Sequence, residues 1–309
     1  MKIIYLAKHN SGGNDDEGAI THAFRELGHE VVLVSESKPE EVLDPRSLDK
    51  ASLILFHKWC GSLLGSIRSI ISSLQSPPRI AFWHFDLIDF PSDPTLHRRC
   101  SSRINWMANI LPQVDYGFCT DGDWIAATGS PKLHKLEQGF DTRLKLGKPD
   151  AHKHIPILFT GIARGGGVDR CSFVEDMGRK YGSRFHHVTG GVYGQDLANL
   201  IASSDIVVAP DSPCTDKYWS NRVYLTCGLG GFMIHPYSHG LALHYKDEKE
   251  IVYYSTRYDL YERIAYYLER PNDRAIIATA GRNRTLKHHS YLARCRKLLQ
   301  SISFSGAEE

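Results

Sequence analysis

Short apolar runs alternate with amphipathic segments along most of the chain. Residues 3–7 form an apolar run, and residues 18–27 follow a polar turn with apolar positions at helical spacing: Ala19, Ile20, Ala23, Phe24 and Leu27. Gly28 ends this helix, and residues 30–34 form a second strand-like run. Continuous runs are typical of parallel strands that are buried on both faces. The order of these elements predicts a βαβ unit at the start of the chain.

The same rhythm continues to about residue 301. In the first half we predict further strands at residues 51–56, 79–83, 115–119 and 133–138, with a helix at residues 63–74. In the second half we predict strands at residues 155–160, 185–188, 206–209, 232–235 and 251–254. The helices between and after them are predicted at residues 168–181, 196–203, 221–227, 258–270, 272–287 and 291–301. This pattern predicts the α/β class, with two facing Rossmann-like domains and a ligand cleft between them.

A basic, irregular stretch at residues 143–154 separates the two halves. We therefore predict an N-terminal Rossmann-like domain at residues 1–145 and a C-terminal Rossmann-like domain at residues 146–290. A helix with a tail would follow at residues 291–309.

Composition excludes several classes of protein. Hydrophobic residues make up 42% of the 309 residues and charged residues 23%, as in ordinary soluble domains, and the net charge is only +2. The seven cysteines have no CxxC spacing, which disfavours structural zinc and a disulfide framework and favours a reducing, cytoplasmic location. No apolar run approaches the roughly 20 residues that span a bilayer, so no integral membrane contact is expected.

Glycine-rich turns follow several predicted strands, where exposed backbone amides can bind phosphate oxygens. Gly12 and Gly13 occupy the first such turn, although the spacing is not GxGxxG, which disfavours an NAD site. A triple-glycine loop at residues 165–167 lies between Arg164 and Arg170, whose planar, always charged guanidinium groups suit a diphosphate. All four residues are candidates for binding a diphosphate donor. The alternative is that these turns only connect elements.

Two further segments carry candidate ligand contacts. In the turn at residues 188–194, Gly190 offers backbone groups and Tyr193 a ring that can stack on a planar ligand. At the predicted start of a helix, Ser220, Asn221 and Arg222 could bind an anionic ligand. Ser220 or Asn221 as a helix N-cap is the alternative interpretation.

Polar side chains after a strand at residues 79–83 are the candidates for acid–base chemistry. An attacking hydroxyl must lose a proton to a histidine or a carboxylate within hydrogen-bond reach. Asp86 is the first candidate for that base and His84 the second, while His9 and His57 also follow predicted strands. The acidic residues 15–17 either complement a helix macrodipole or place one carboxylate near the acceptor.

The order of the C-terminal motifs resembles a known family. A Tyr-Trp-Ser-Asn-Arg cluster at residues 218–222, Cys227-Gly228 and Gly230-Gly231 lead into a strand, and Ala280-Gly281-Arg282 lies further on. This arrangement is similar to the C-terminal half of the group 1 nucleotide-sugar glycosyltransferases of the two-Rossmann-domain (GT-B) type. Among these, the subgroup that includes the CgeB-like proteins is the most similar. The first half matches more generally, through its first glycine turn and through Gly139-Phe140-Asp141.

The resemblance implies a metal-independent sugar transferase that needs no cofactor beyond its nucleotide-sugar co-substrate. It also implies that residues 1–145 carry the acceptor side and that residues 146–290 bind the nucleotide sugar. Donor contacts would come from Arg164, Arg170 and the turn at residues 188–194, where Tyr193 could stack on the nucleotide base. The related enzymes bind the donor sugar and ribose with a pair of glutamates. The position of the second glutamate falls on Val223 in a gapless match, or on Leu225 if the CgeB-like subgroup is the guide. Neither is acidic, which leaves open a different donor or a lost activity.

We therefore expect a glycosyltransferase that moves a sugar from a nucleotide-diphosphate sugar to a hydroxyl acceptor. One alternative acceptor is a modified base in phage-type DNA. A second alternative is a catalytically inactive module that binds a sugar nucleotide, and a nucleotide-sugar epimerase of the same architecture is more distant. No recognisable pattern in the sequence identifies the donor, the acceptor or the oligomeric state. Nor does any pattern show whether the anomeric centre is inverted or retained.

Overall fold

Two parallel β-sheets, built from separate parts of the chain, organise the protein. The computed structural model describes residues 1–8, 15–43, 48, 50–57, 64–90, 94–152, 154–163, 170–210 and 215–304. Contacts divide the chain into two compact units. The first unit comprises Met1–Gln138 together with Tyr291–Glu309, and the second comprises Gly139–Ser290.

The sheet of the first unit has six parallel strands in the order β2-β1-β3-β4-β5-β6. The strands are β1 (Lys2–Ala7), β2 (Glu30–Ser35), β3 (Ala51–Phe56), β4 (Arg79–His84), β5 (Tyr116–Cys119) and β6 (Leu133–Lys135). Its helices are α1 (Asp16–Glu26), α2 (Leu64–Ile71), α3 (Pro94–Ile110) and α4 (Gly122–Thr128). The strand order reverses between β1 and β3, and the carboxyl ends of strands at such a switch point are where open α/β sheets bind ligands.

The sheet of the second unit has five parallel strands in the order β11-β10-β9-β7-β8. The strands are β7 (Ile155–Thr160), β8 (Phe185–Val188), β9 (Ser204–Val208), β10 (Met233–Pro236) and β11 (Val252–Tyr254). Its helices are α5 (Arg170–Tyr181), α6 (Gly194–Ala202), α7 (Arg222–Gly228), α8 (His239–Ala242), α9 (Arg257–Leu268) and α10 (Pro271–His288). The switch point of this sheet lies between β7 and β9.

The apolar runs are explained by burial on both faces of each sheet. In β1, Ile4 and Leu6 belong to one hydrophobic cluster, while Ile3, Tyr5 and Ala7 belong to a second cluster on the opposite face. The second unit has the same pair of clusters. The predicted α/β class and the two Rossmann-like domains are therefore confirmed.

The last helix, α11 (Tyr291–Phe304), completes the first unit. Its buried residues recur on one face and join the cluster that contains the apolar face of α1: Tyr291, Cys295, Leu298 and Ile302. The Tyr116 hydroxyl donates to the Ile302 carbonyl at 3.3 Å. The buried Arg294 donates through Nε to the Gln138 carbonyl at 3.1 Å. The chain thus leaves the first unit after Gln138 and returns to it at Tyr291.

Several element boundaries differ from the predicted ones. The strand predicted at residues 133–138 ends at Lys135, and the helix predicted at residues 272–287 extends over Pro271–His288. Helices α3 and α4 were not predicted. The apolar positions of α3 lie among many polar residues, and α4 is only seven residues long. Within the described part of the chain, no helix is both long and apolar enough to cross a membrane.

Candidate active site

A cavity of about 380 Å³ lies at the carboxyl ends of β7 and β8; we call it the second-unit cavity. Helices α5, α6 and α7 begin around it. All the predicted donor-binding residues that the structure describes line this cavity: Arg170, Gly190, Tyr193, Ser220, Asn221 and Arg222. These residues come from three separate segments of the sequence, and the fold brings them together where strand ends favour ligand binding.

Arg222, the first residue of α7, is held on the wall of the second-unit cavity. Its Nε donates to the Thr160 carbonyl at 2.8 Å, and its Nη1 donates to Ser220 Oγ at 3.3 Å. The guanidinium carbon lies 5.3 Å from the centroid of the Phe159 ring. A guanidinium fixed by a carbonyl and an aromatic face loses little conformational entropy when it binds an anion.

Gly161 makes room for this arginine. A Cβ atom at this position would lie 2.7 Å from Arg222 Nη2, and the backbone φ of +147° is rarely adopted by other residues. The Gly161 carbonyl accepts a hydrogen bond from His187 Nε2 at 2.8 Å, and His187 stacks on Phe159 with the ring centroids 5.1 Å apart. The turn after β7 therefore positions the guanidinium of Arg222.

Arg170, the first residue of α5, is also tied to backbone carbonyls. Its Nε donates to the Pro210 carbonyl at 3.2 Å and its Nη1 to the Ile162 carbonyl at 3.4 Å. Arg170 and Arg222 thus place two permanent positive charges on the wall of one cavity. Two such charges suit an anion such as a diphosphate, whose oxygens carry two or more negative charges.

A turn of glycines in left-handed conformations borders the same cavity. Gly190, Gly191 and Gly194 have φ values of +70°, +76° and +55°. Tyr193 directly precedes α6 in an extended conformation, and 74% of its surface is exposed. An exposed ring at the edge of a cavity can stack on a planar ligand without first losing packing inside the protein.

A second cavity, of about 280 Å³, lies in the first unit at the ends of β1, β3 and β4; we call it the first-unit cavity. The predicted base candidates Asp86 and His84 line it, as does His57. The other lining residues are Lys8, Asp16, Glu17, Glu36, Trp83, Phe85 and Gln138. The cavity therefore combines a predominantly acidic wall with aromatic side chains.

The loop that carries Asp86 is anchored by Asp121, a residue that sequence reasoning missed. The Asp121 carboxylate is fully buried and accepts backbone hydrogen bonds from Ile88 at 2.8 Å, Asp89 at 3.1 Å and Trp124 at 3.0 Å. The signal in the sequence was an aspartate after a strand and before a helix, as in an N-cap. Asp86 itself is exposed, whereas His84 is buried and lies 5.9 Å from Trp106, measured between ring centroids.

Solved structures with the same architecture cover almost the whole chain. Sucrose-phosphate synthase from Thermosynechococcus elongatus aligns over 100% of both chains, with 13% identity and a TM-score of 0.67. Anabaena HepE in complex with UDP-glucose aligns over 98% of this chain and 99% of its own, with 13% identity and a TM-score of 0.61. A glycosyltransferase from Rickettsia africae aligns over 97% of both chains, with 11% identity and a TM-score of 0.56. At these identities the comparison establishes the fold, and no curated protein matches by sequence.

The sequence profile of a family described as glycosyl transferase-like matches residues 170–300, from the start of α5 into α11. The second unit therefore contains a segment that is similar to glycosyl transferase-like proteins. The resemblance drawn from the C-terminal motifs is thereby confirmed.

Within this glycosyl transferase-like segment, the structure separates the two positions considered for the second family glutamate. Val223 is fully buried in the core of the second unit. Leu225, one helical turn after Arg222, lines the second-unit cavity. The cavity wall around Leu225 is apolar and includes Ile162, Val188, Val192, Leu197 and Ile201. Of the two positions considered for the glutamate, Leu225 is therefore the one whose apolar side chain lines the cavity.

Three predicted donor-binding residues, Gly12, Gly13 and Arg164, lie outside the described residues, as does His9. Over the described ranges, no group of three or more histidine, cysteine, aspartate or glutamate side chains is arranged to hold a metal ion.

Glu17 is the main addition that the structure makes to the predicted site. It lies in the first turn of α1, partly buried on the wall of the first-unit cavity. Burial is the largest cause of a raised pKa, and the neighbouring carboxylates of Asp15, Asp16 and Glu36 add to it, so that the pKa of Glu17 reaches about 7. The sequence placed Glu17 among three acidic residues without distinguishing it from the others.

The raised pKa of Glu17 predicts how stability changes with pH. The fold favours the neutral carboxyl, so the native state holds a proton that the unfolded chain releases between about pH 4.5 and pH 7. The protonated Glu17 carboxyl therefore contributes to the stability of the fold below pH 4.5, and this contribution is lost as the pH rises to 7. We expect Glu17→Gln to be more stable than the wild type by about 1 kcal/mol at pH 8, after allowance for solvent screening of a partly exposed group.

Urea unfolding of the first unit at pH 8 and pH 4.5 measures this difference, which should vanish at the lower pH. Glu26→Gln, an exposed position on the same helix, is the matched control and should show no such dependence. A Glu17→Gln variant equally stable to the wild type at both pH values would contradict the assignment.

Proposed function

We propose that this protein is a glycosyltransferase that moves a sugar from a nucleotide-diphosphate sugar to a hydroxyl acceptor without using a metal ion. One observation carries the proposal: Arg170 and Arg222, both fixed by backbone carbonyls, line one cavity together with the glycine turn and the exposed ring of Tyr193. The match of residues 170–300 to the glycosyl transferase-like family supports the same assignment.

In the proposed reaction the two arginines stabilise the leaving diphosphate. Negative charge accumulates on the phosphate oxygens as the bond to the sugar breaks, and groups already oriented toward that charge lower the barrier. Arginine keeps its charge at any physiological pH, so it can supply the positive charge that a divalent ion supplies in other transferases. Ser220 and Asn221 lie beside Arg222 and are proposed to bind the sugar or the phosphates.

The nucleoside is proposed to lie along the turn at residues 190–194. Tyr193 would stack on the base, and the apolar wall that includes Leu225 would contact the nucleoside. HepE, which has the same fold, was solved with UDP-glucose, which supports placing a uridine diphosphate sugar first among the donors to be tested.

The acceptor hydroxyl is proposed to lose its proton to a group of the first-unit cavity. Asp86 and His84, the candidates from the sequence, both line that cavity. A modified DNA base as the acceptor, and a module that binds the donor without catalysis, remain the alternatives that the experiment must separate.

Thermal melting in a panel of nucleotide sugars tests the proposal. A donor that binds only the folded protein at a hundred times its Kd stabilises the fold by about 2.7 kcal/mol, so we expect one nucleotide sugar to raise Tm by several degrees. The rise should persist in EDTA, and the free sugar should not reproduce it. If no uridine, guanosine, adenosine or thymidine diphosphate sugar raises Tm, the proposal is wrong. Donor binding without hydrolysis or transfer would favour the inactive module.

A further inference from the structure

The first-unit cavity contains more candidates for the proton acceptor than the sequence indicated. We propose that Glu17 is the catalytic residue that takes the proton from the attacking hydroxyl, an inference that rests on the proposed function. Glu17 lines the first-unit cavity together with Asp86 and His84.

The position of Glu17 is set by the start of α1. Asp15 caps the helix by accepting a hydrogen bond from the Gly18 backbone at 2.8 Å, and the Glu17 carbonyl accepts one from Thr21 Oγ1 at 2.8 Å. The next turns bury Ile20 and Phe24 in the core, so α1 cannot rotate without losing that packing. Glu17 is thereby held, partly buried, on the wall of the cavity it shares with Asp86.

The charges around Glu17 make it a proton acceptor suited to neutral pH. Burial and the carboxylates of Asp15, Asp16 and Glu36 raise the pKa of Glu17 to about 7. The other titratable or charged groups facing the cavity or Glu17 are Lys8, Tyr5, His57, His84 and Asp86. A general base is most effective when its pKa lies near the working pH, because it is then both ionised and basic.

Three other polar groups of the cavity, His57, Asp16 and Asp86, are less suited to the role. His57 Nδ1 donates to the Trp83 carbonyl at 2.7 Å, and the Tyr5 hydroxyl donates to Nε2, so both ring nitrogens are engaged. Asp16 Oδ2 accepts a hydrogen bond from Gln138 at 2.9 Å. Asp86 is exposed, so water competes for its oxygens. Glu17 combines partial burial with access to the cavity.

The proposed step balances with either an acceptor hydroxyl or water. The oxygen of the hydroxyl forms a bond to the anomeric carbon of the donor sugar while its proton passes to a Glu17 carboxylate oxygen. The bond from the anomeric carbon to the phosphate oxygen breaks, and its electron pair leaves with the nucleoside diphosphate. Glu17 then releases the proton to solvent.

The test uses water as the acceptor, since it requires no knowledge of the natural one. The hydrolysis rate of the nucleotide sugar that most raises Tm is measured from pH 5 to pH 9 for the full-length wild type and for Glu17→Gln. We expect the wild-type rate to rise through an apparent pKa near 7, and Glu17→Gln to lower kcat by roughly 100-fold or more and to abolish that rise. Donor affinity, measured by calorimetry, should change less than threefold.

Two further variants make the result decisive. Glu26→Gln, exposed on the same helix and outside the cavity, should retain the wild-type profile. If Asp86→Asn abolishes the rise and Glu17→Gln does not, Glu17 is not the base. A Glu17→Gln profile identical to that of the wild type would also overturn the inference. A failure of donor binding in the wild type would refute the proposed function itself, so the two failures are distinguishable.

Discussion

Arg222→Ala should lower kcat/KM by about 100- to 1,000-fold, the largest loss of activity that we expect from a single substitution. The reason is that the guanidinium would stabilise charge that develops on the leaving diphosphate, and removing one such donor typically costs about 3–4 kcal/mol of transition-state stabilisation. Initial rates of donor hydrolysis or transfer measure the effect, and calorimetry separates it from loss of donor binding.

Two controls accompany this variant. Arg222→Lys keeps the charge but loses the planar fork that bonds to the Thr160 carbonyl, so its activity should be intermediate. Arg179→Ala removes an exposed arginine from α5, where it pairs with Asp176 at 3.3 Å, and should leave the rate unchanged. Wild-type activity in Arg222→Ala would show that the second-unit cavity does not bind the diphosphate.

Gly281→Ala should destabilise the second unit by about 2–3 kcal/mol, a large effect for the addition of a single methyl group. A Cβ atom at residue 281 would lie 2.2 Å from the Glu250 carbonyl oxygen, so α10 would have to move away from the segment that precedes β11. The atom that a Cβ at residue 281 would contact belongs to the backbone, which cannot rotate aside as a flexible side chain can.

Gly178→Ala provides the matched control for this prediction. Gly178 lies inside α5, and no atom would come within 4 Å of a Cβ atom at that position. Alanine favours a helix over glycine by about 0.5–1 kcal/mol, so Gly178→Ala should be stabilising. Urea unfolding of both variants gives the comparison, and an unchanged midpoint for Gly281→Ala would show that α10 adjusts without cost.

The fold was largely predictable because burial on both sheet faces leaves a direct mark on the sequence. Continuous apolar runs identified β1, β3 and β7. Arg222 was selected because it lies at the predicted start of a helix, in a cluster that resembles the glycosyltransferases. Helix α3 was missed because only one narrow stripe of it is apolar, including Met107 and Ile110. With so few apolar positions, the sequence of α3 looks like that of a polar loop.

The role we infer for Glu17 could not be predicted from the sequence. Its local sequence is that of an ordinary acidic first helical turn, which the helix macrodipole alone would explain. What distinguishes it is the approach of Glu36, together with partial burial on the wall of a cavity that also contains Gln138. Those neighbours are separated from Glu17 by up to 121 residues and meet it only through the sheet topology.

The return of α11 to the first unit has a consequence for biosynthesis. A ribosome makes the first 138 residues early, yet the apolar surface of α1 that receives Leu298 stays uncovered until a further 152 residues have been translated and Tyr291 onward emerges. Nascent chains stalled in this interval would expose that surface, where chaperones can bind. The N-terminal half should therefore reach its protease-resistant form only after the middle of the polypeptide has had time to fold.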